Sequence, residues 1–174
     1  MGIFGNGNVL KKKRIAGYVW GCLMEIEKTI VDDITIAAEG PITLDEDKTK
    51  MLAMGTVVSY MLATLKGRIS DFEITEIEIQ VKNMMYDKCD REGKPALPVT
   101  YDSYKLSVDE DLEAMSAGQA TGHINLYQLI REYILKNTEI GTESDAEEAV
   151  ELIAGVILLK AMTAAQLIGS KTIK

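Results

Sequence analysis

Histidine occurs once in this chain, at His123, and cysteine twice, at Cys22 and Cys89. That scarcity narrows the chemistry. A zinc site would have to be assembled from carboxylates and thiols with no ligand spacing, and a di-iron bundle needs two Glu-x-x-His pairs that the sequence lacks. Cys22 and His123 or Cys89 and His123 carry no local signature of a thiol nucleophile. The acidic runs Asp45-Glu46-Asp47, Asp109-Glu110-Asp111 and Glu147-Glu148 each follow a helix-start signal, where carboxylates complement the positive end of the helix dipole rather than gather a cation. No catalytic residue, metal ligand or cofactor is therefore expected.

Proline is as sparse, with three in 174 residues, and so is phenylalanine, with two. Alanine, isoleucine, leucine, methionine and glutamate dominate instead, a composition that favours helix. No stretch reads as a secretory signal, and a chain of this length needs no disulfide staple, so both thiols are expected reduced and the protein cytoplasmic. With 47% apolar and 26% charged residues the chain reads as one globular domain.

Basic charge is also short. The net charge is −8, which excludes a general nucleic-acid binder. Lys11, Lys12, Lys13 and Arg14 are the only charges in the first fourteen residues, leaving −12 on the rest. Together with the Gly- and Asn-rich Met1 to Asn8 they are expected to form a flexible basic arm, residues 1–14, on a helical domain of residues 15–174. The arm lacks the Lys-Ser/Thr end of a phosphate loop, and Asn6 stands where an acylation signal has Ser or Thr.

What is present is helical periodicity. Apolar spacings of three and four predict a first helix from about Val9 to Ala38, closed by Glu39-Gly40-Pro41. Within it Asp32 and Asp33 are adjacent and read as a solvated face; a buried member would need a partner such as Arg131 or Lys160. A capping box at Thr43 and Glu46 opens a second helix to Lys66. Its small residues Gly55, Ser59 and Ala63 predict a close crossing, assigned to the last helix. The stretch Ala37-Ala-Glu-Gly-Pro-Ile-Thr-Leu-Asp-Glu46 resembles the acidic helix-turn-helix of the TerB family of tellurite-resistance proteins, with Glu39 where that family has Asp; no function is carried over on it.

Residues 70–90 open with a capping box, Ser70 and Glu73, and share an apolar face at Ile74, Ile77, Val81, Met84 and Met85, which predicts a helix. Their alternation also admits a strand, with a hairpin partner in 99–106. Phe72, Ile79 and Tyr86 recur every seven residues opposite that face. Residues 88–106 read as a long surface loop carrying Tyr101 and Tyr104. Further boxes at Ser107 and Ser144 predict a short helix to Ala117 and the last helix, Asp145 to Gly169, with a helix from His123 to Lys136 between them. The last helix is apolar on every side, which places it at the centre of the bundle; Glu151 and Lys160 argue against a membrane span.

The expected fold is thus an all-α single-domain bundle of about six helices around a buried C-terminal helix, with an α+β hairpin in 70–106 as the alternative. The leading functional expectation is a structural or protein-interaction module that self-assembles, through Phe72, Ile79 and Tyr86 and through the arm. A second is a small-molecule site beneath 88–106 using Tyr101 and Tyr104. A third is contact with nucleic acid or another anionic surface by Lys11, Lys12, Lys13 and Arg14 alone, with a log–log salt slope of roughly −3.6 at most.

Overall fold

The computed structural model describes residues 8–38, 42–135 and 143–174. Among these the chain forms an all-α bundle of six helices with one two-stranded parallel ribbon. The helix α1 (Ile15–Ala37) buries Ile15, Val19, Cys22, Ile26, Ile30 and Ile34 at the predicted spacing, and Leu23 besides, while Ala37 at its end is exposed. It begins six residues later than the periodicity implies. Val9–Leu10 (β1) pairs instead with Thr172–Ile173 (β2), and the Lys12 amide donates to the Lys174 carbonyl at 2.9 Å. Lys12–Arg14 then form a 3-10 turn that leads directly into α1, with Lys12 paired to Glu73 of the neighbouring helix. Residues 9–14 of the expected arm are thus tied to the body; residues 1–7 lie outside the described residues.

The helix α2 (Glu46–Leu65) starts on Asp45, not Thr43. Leu44 bridges to Leu135 and the Asp45 amide donates to Ile134, so the backbone stays extended through Leu44 and the Asp45 carboxylate caps Lys48 N at 3.2 Å. The expected box at Thr43 is replaced for that reason. This helix is the most enclosed of the six, buried without a break from Met51 to Ser59. Its small residues do admit a close neighbour, but the neighbour is not the last helix. A Cβ at Gly55 would lie 3.2 Å from the Lys105 backbone nitrogen, and Ser59 Oγ donates to the Lys105 carbonyl.

The capping box at Ser70 is formed, and α3 (Asp71–Arg91) is helical throughout, which removes the hairpin alternative. The largest departure follows it. Residues 97–116 are not loop but α4 (Leu97–Ser116), with Pro98 in its first turn, where no helical N–H is lost. Only the connection around Gly93, at φ 70°, and Pro95 is irregular. The inner face of α4 is Tyr101, Tyr104, Val108 and Asp111, so Tyr101 and Tyr104 are core residues at 2% and 5% exposure. Ser107 lies mid-helix, bonded to the Ser103 carbonyl, and caps nothing. Gly118 at φ 70° ends the helix in the left-handed conformation.

The helix α5 (Ile124–Leu129) runs into one π turn (Ile130–Ile134) rather than on to Lys136. Last, α6 (Glu143–Gly169) lays Val150, Ile153, Ala154, Ile157, Ala161, Ala164 and Ile168 inward, all buried. It is not enclosed on all sides as its composition implied, since Leu159 is 65% exposed and Met162 and Leu167 about half. The alanines allow the inner side to pack closely and leave the larger residues outside. Among the described residues α6 is the one helix long and apolar enough to cross a membrane, and 33% of that stretch is buried. The Ser144 capping box lies outside the described side chains.

Candidate interaction surface

The stripe Phe72, Ile79 and Tyr86 points away from the core, at 71, 52 and 39% exposure. No loop covers it. Beside it runs a second stripe that sequence reasoning missed, Val99 and Leu106 on α4, also seven apart and 65 and 60% exposed. Two contacts fix the helices as antiparallel neighbours. Lys82 Nζ lies 2.6 Å from Asp102 Oδ2, and Lys105 Nζ lies 2.6 Å from Glu78 Oε1. The Tyr86 hydroxyl also donates to Asp102 at 3.0 Å, and the Lys82 ammonium lies over the Tyr86 ring.

Ile79 and Tyr86 stand one turn before and after Lys82, as Val99 and Leu106 do around Asp102. The result is a four-cornered apolar face with an ion pair at its centre, and Phe72 extends it along α3. Bonding to Asp102 raises the pKa of both Lys82 and Tyr86, so the lysine stays a cation and the phenol neutral at neutral pH. The signal for the second stripe was present as a seven-residue spacing. It was hidden because Val99 and Leu106 lay in what looked like a loop.

His123 stands at the start of α5, as its N-cap residue, and is buried at 8% exposure. The Tyr60 hydroxyl and His123 Nε2 are 2.7 Å apart, and His123 Nδ1 lies 4.0 Å from Asp111 Oδ2 with no hydrogen-bond partner. A hydroxyl, an imidazole and a carboxylate in that order superficially resemble a hydrolytic relay. Three facts make it a structural joint. Burial and the charge of Asp111 raise the Tyr60 pKa, which makes the phenol a poorer nucleophile. Asp111 spends both oxygens on the first amides of α5, Asn125 N and Leu126 N, each at 3.0 Å. The gap to Nδ1 exceeds hydrogen-bond reach. Asp111 therefore complements a helix dipole, as its acidic run was expected to, but that of α5 and from a neighbouring helix.

Burial lowers the His123 pKa against the opposing pull of Asp111, so the unfolded chain takes up this proton more readily than the folded one. The corresponding stability is complete above about pH 6.5, the ordinary histidine value, and declines as pH falls below it. Urea unfolding should therefore show wild type losing more stability than His123→Gln between about pH 7.5 and pH 5.5. Equal losses would show that His123 carries no such dependence.

The remaining candidates are scattered. Lys12 lies 2.7 Å from Glu73, whose carboxyl is held down to about 2 by that cation and by Ser70, while Lys11, Lys13 and Arg14 are exposed. Asp33 is half-buried rather than fully solvated and meets Lys160 of α6 at 2.6 Å, one of the two partners named for a buried member. Cys22 and Cys89 are buried free thiols, and burial pushes Cys22 up to about 11. No group of three or more metal-ligating side chains occurs among the described residues. A cleft of about 590 Å³ lies between α2, α3 and α4, lined by Leu62, Ile74 and Leu112 together with Lys66, Lys105 and Glu113. Tyr101 and Tyr104 do not line it.

Comparison with known proteins adds no relative: no family model, no curated protein and no solved structure matches this chain.

Proposed function

We propose that this protein is a self-assembling interaction module whose contact surface is the outer face of the α3–α4 hairpin. The observation that carries the reading is the pairing of two seven-residue apolar stripes on adjacent antiparallel helices. Apolar side chains so exposed gain about 25 cal/mol per Å² on being covered. Two helices each about 30 Å long and 10 Å wide present on the order of 600 Å², near the roughly 800 Å² per partner of a standard interface.

The arrangement favours a second copy as the partner. The antiparallel run sets Ile79 beside Leu106, Tyr86 beside Val99 and Lys82 beside Asp102, so a two-fold axis along the hairpin lays each of these residues of one copy on its neighbour in the other. A patch with that symmetry is complementary to itself, the requirement of an isologous dimer. Two hairpins face to face make a four-helix contact in which Lys82 of each copy meets Asp102 of the other. Ile79→Glu and Leu106→Glu each place a carboxylate in that contact and are expected to shift the mass by light scattering from oligomer to monomer without unfolding the chain. A monomeric wild type at high concentration would refute the reading.

The cleft beside Lys105 supports a second reading, a small-molecule binder. Its residues differ from those expected from the sequence. Thermal shift against a metabolite panel, repeated on Ala63→Phe to fill the cleft, tests it; a stabilising compound that ignores the substitution would place binding elsewhere.

A further inference from the structure

The fold gathers far more cation at one end of the bundle than the arm supplies. The ribbon and the 3-10 turn that follows it bring Lys11, Lys12, Lys13 and Arg14 to the end that carries Lys171 and Lys174, where the Lys12 amide donates to the Lys174 carbonyl. From the α2–α3 turn Arg68 donates to the Ile168 carbonyl at 3.2 Å and to the Lys171 carbonyl, and Lys66 stands beside it. Lys171 also lies over the Tyr18 ring. Eight of the nineteen basic residues thus converge on one end, where the acids within the same turns are Asp71 and Glu73, the latter bound by Lys12. Arg68 is used in closing the α6 terminus. Lys11, Lys13, Arg14 and Lys66 are exposed and make no ion pair among the described residues.

We propose that this basic end docks on an anionic phospholipid bilayer. Charge complementarity gives the sign of the partner, and the apolar residues give its class. Val9 on β1 and Leu167 in the last turns of α6 are 49 and 47% exposed among these cations. Met162 and Leu159 continue the apolar outer side of α6 away from them. Cations beside solvent-facing aliphatic side chains match a headgroup layer over acyl chains, whereas a nucleic-acid backbone offers nothing apolar to meet them. The acidic remainder of the chain does not oppose docking at its own end. The bundle is about 35 Å long and charges beyond about 10 Å are screened at 0.1 M salt.

Each cation near such a surface is worth about fivefold in partitioning. Cosedimentation with vesicles of phosphatidylcholine, alone and with phosphatidylserine, measures it directly on the full chain. Strong binding only with phosphatidylserine is expected, weakened on the order of 100-fold in the triple variant Lys11→Gln, Lys13→Gln, Arg14→Gln. Leu167→Ser should weaken it severalfold with the charge unchanged. The substituted residues are exposed, and circular dichroism confirms that each variant is folded. Lys66→Gln with Lys174→Gln gives an independent charge change on the same end. Binding to neutral vesicles as strong as to anionic ones, or indifference to both sets of substitutions, overturns the proposal. So does a DNA duplex that binds this end where the vesicles do not.

Discussion

Asp111→Ala is expected to destabilise the fold by about 3 kcal/mol, because it strands two amides that the neighbouring helix cannot otherwise satisfy. Asp111 is 3% exposed and accepts from Asn125 N and Leu126 N, the latter in a buried residue. Each orphaned buried donor costs about 1–3 kcal/mol, and bonds to a charged acceptor stand at the upper end. In a chain of this size the loss corresponds to a fall in Tm of about 6–12 °C. Asp111→Asn keeps one acceptor and should lose less. Glu110→Ala, one residue earlier on the solvent side, should lose little. If the two alanine variants unfold together, Asp111 does not hold α5 in place.

Gly55→Leu is expected to cost about 3 kcal/mol or more by overpacking the close crossing of α2 and α4. A mere Cβ at this position would meet Lys105 N at 3.2 Å and Lys105 Cα at 3.3 Å, both backbone atoms of a helix that cannot turn aside. The same crossing positions α4, and with it Val99 and Leu106 on the outer face. Gly17 provides the contrast. Nothing lies within 4 Å of a Cβ there, so Gly17→Ala should stabilise α1 by up to about 1 kcal/mol through helix propensity. Chemical unfolding of the two variants should shift the midpoint in opposite directions. A neutral Gly55→Leu would mean that α2 and α4 are not in that contact.

The sequence discloses the helices whose inner residues are aliphatic. In α1, Ile15 to Ile34 repeat at three and four, and in α3 a capping box announces the start, so both were legible. In α4 the inner face is written in Tyr101, Tyr104 and Asp111, and Pro98 precedes it, so the pattern resembles a loop until the fold shows those tyrosines buried. Reading that stretch as loop moved the crossing partner of Gly55 to the wrong helix. It also concealed Val99 and Leu106. Composition likewise identifies α6 as apolar but cannot say which side packs, because Ala154 and Leu159 are both apolar and only the former is small enough for close approach to α2. The His123 joint is legible in none of this. Tyr60, Asp111 and His123 come from three elements, and no spacing along the chain links them.

Self-association through the α3–α4 face is the central proposal, and hydroxyl-radical footprinting over a range of protein concentrations tests it with the unaltered chain. Ile79, Tyr86, Val99 and Leu106 should become protected as concentration rises, while Leu159 and Met162 on α6 remain labelled as the internal reference. Labelling of the hairpin residues that stays constant at every concentration, or protection that appears on α6 instead, would contradict the account.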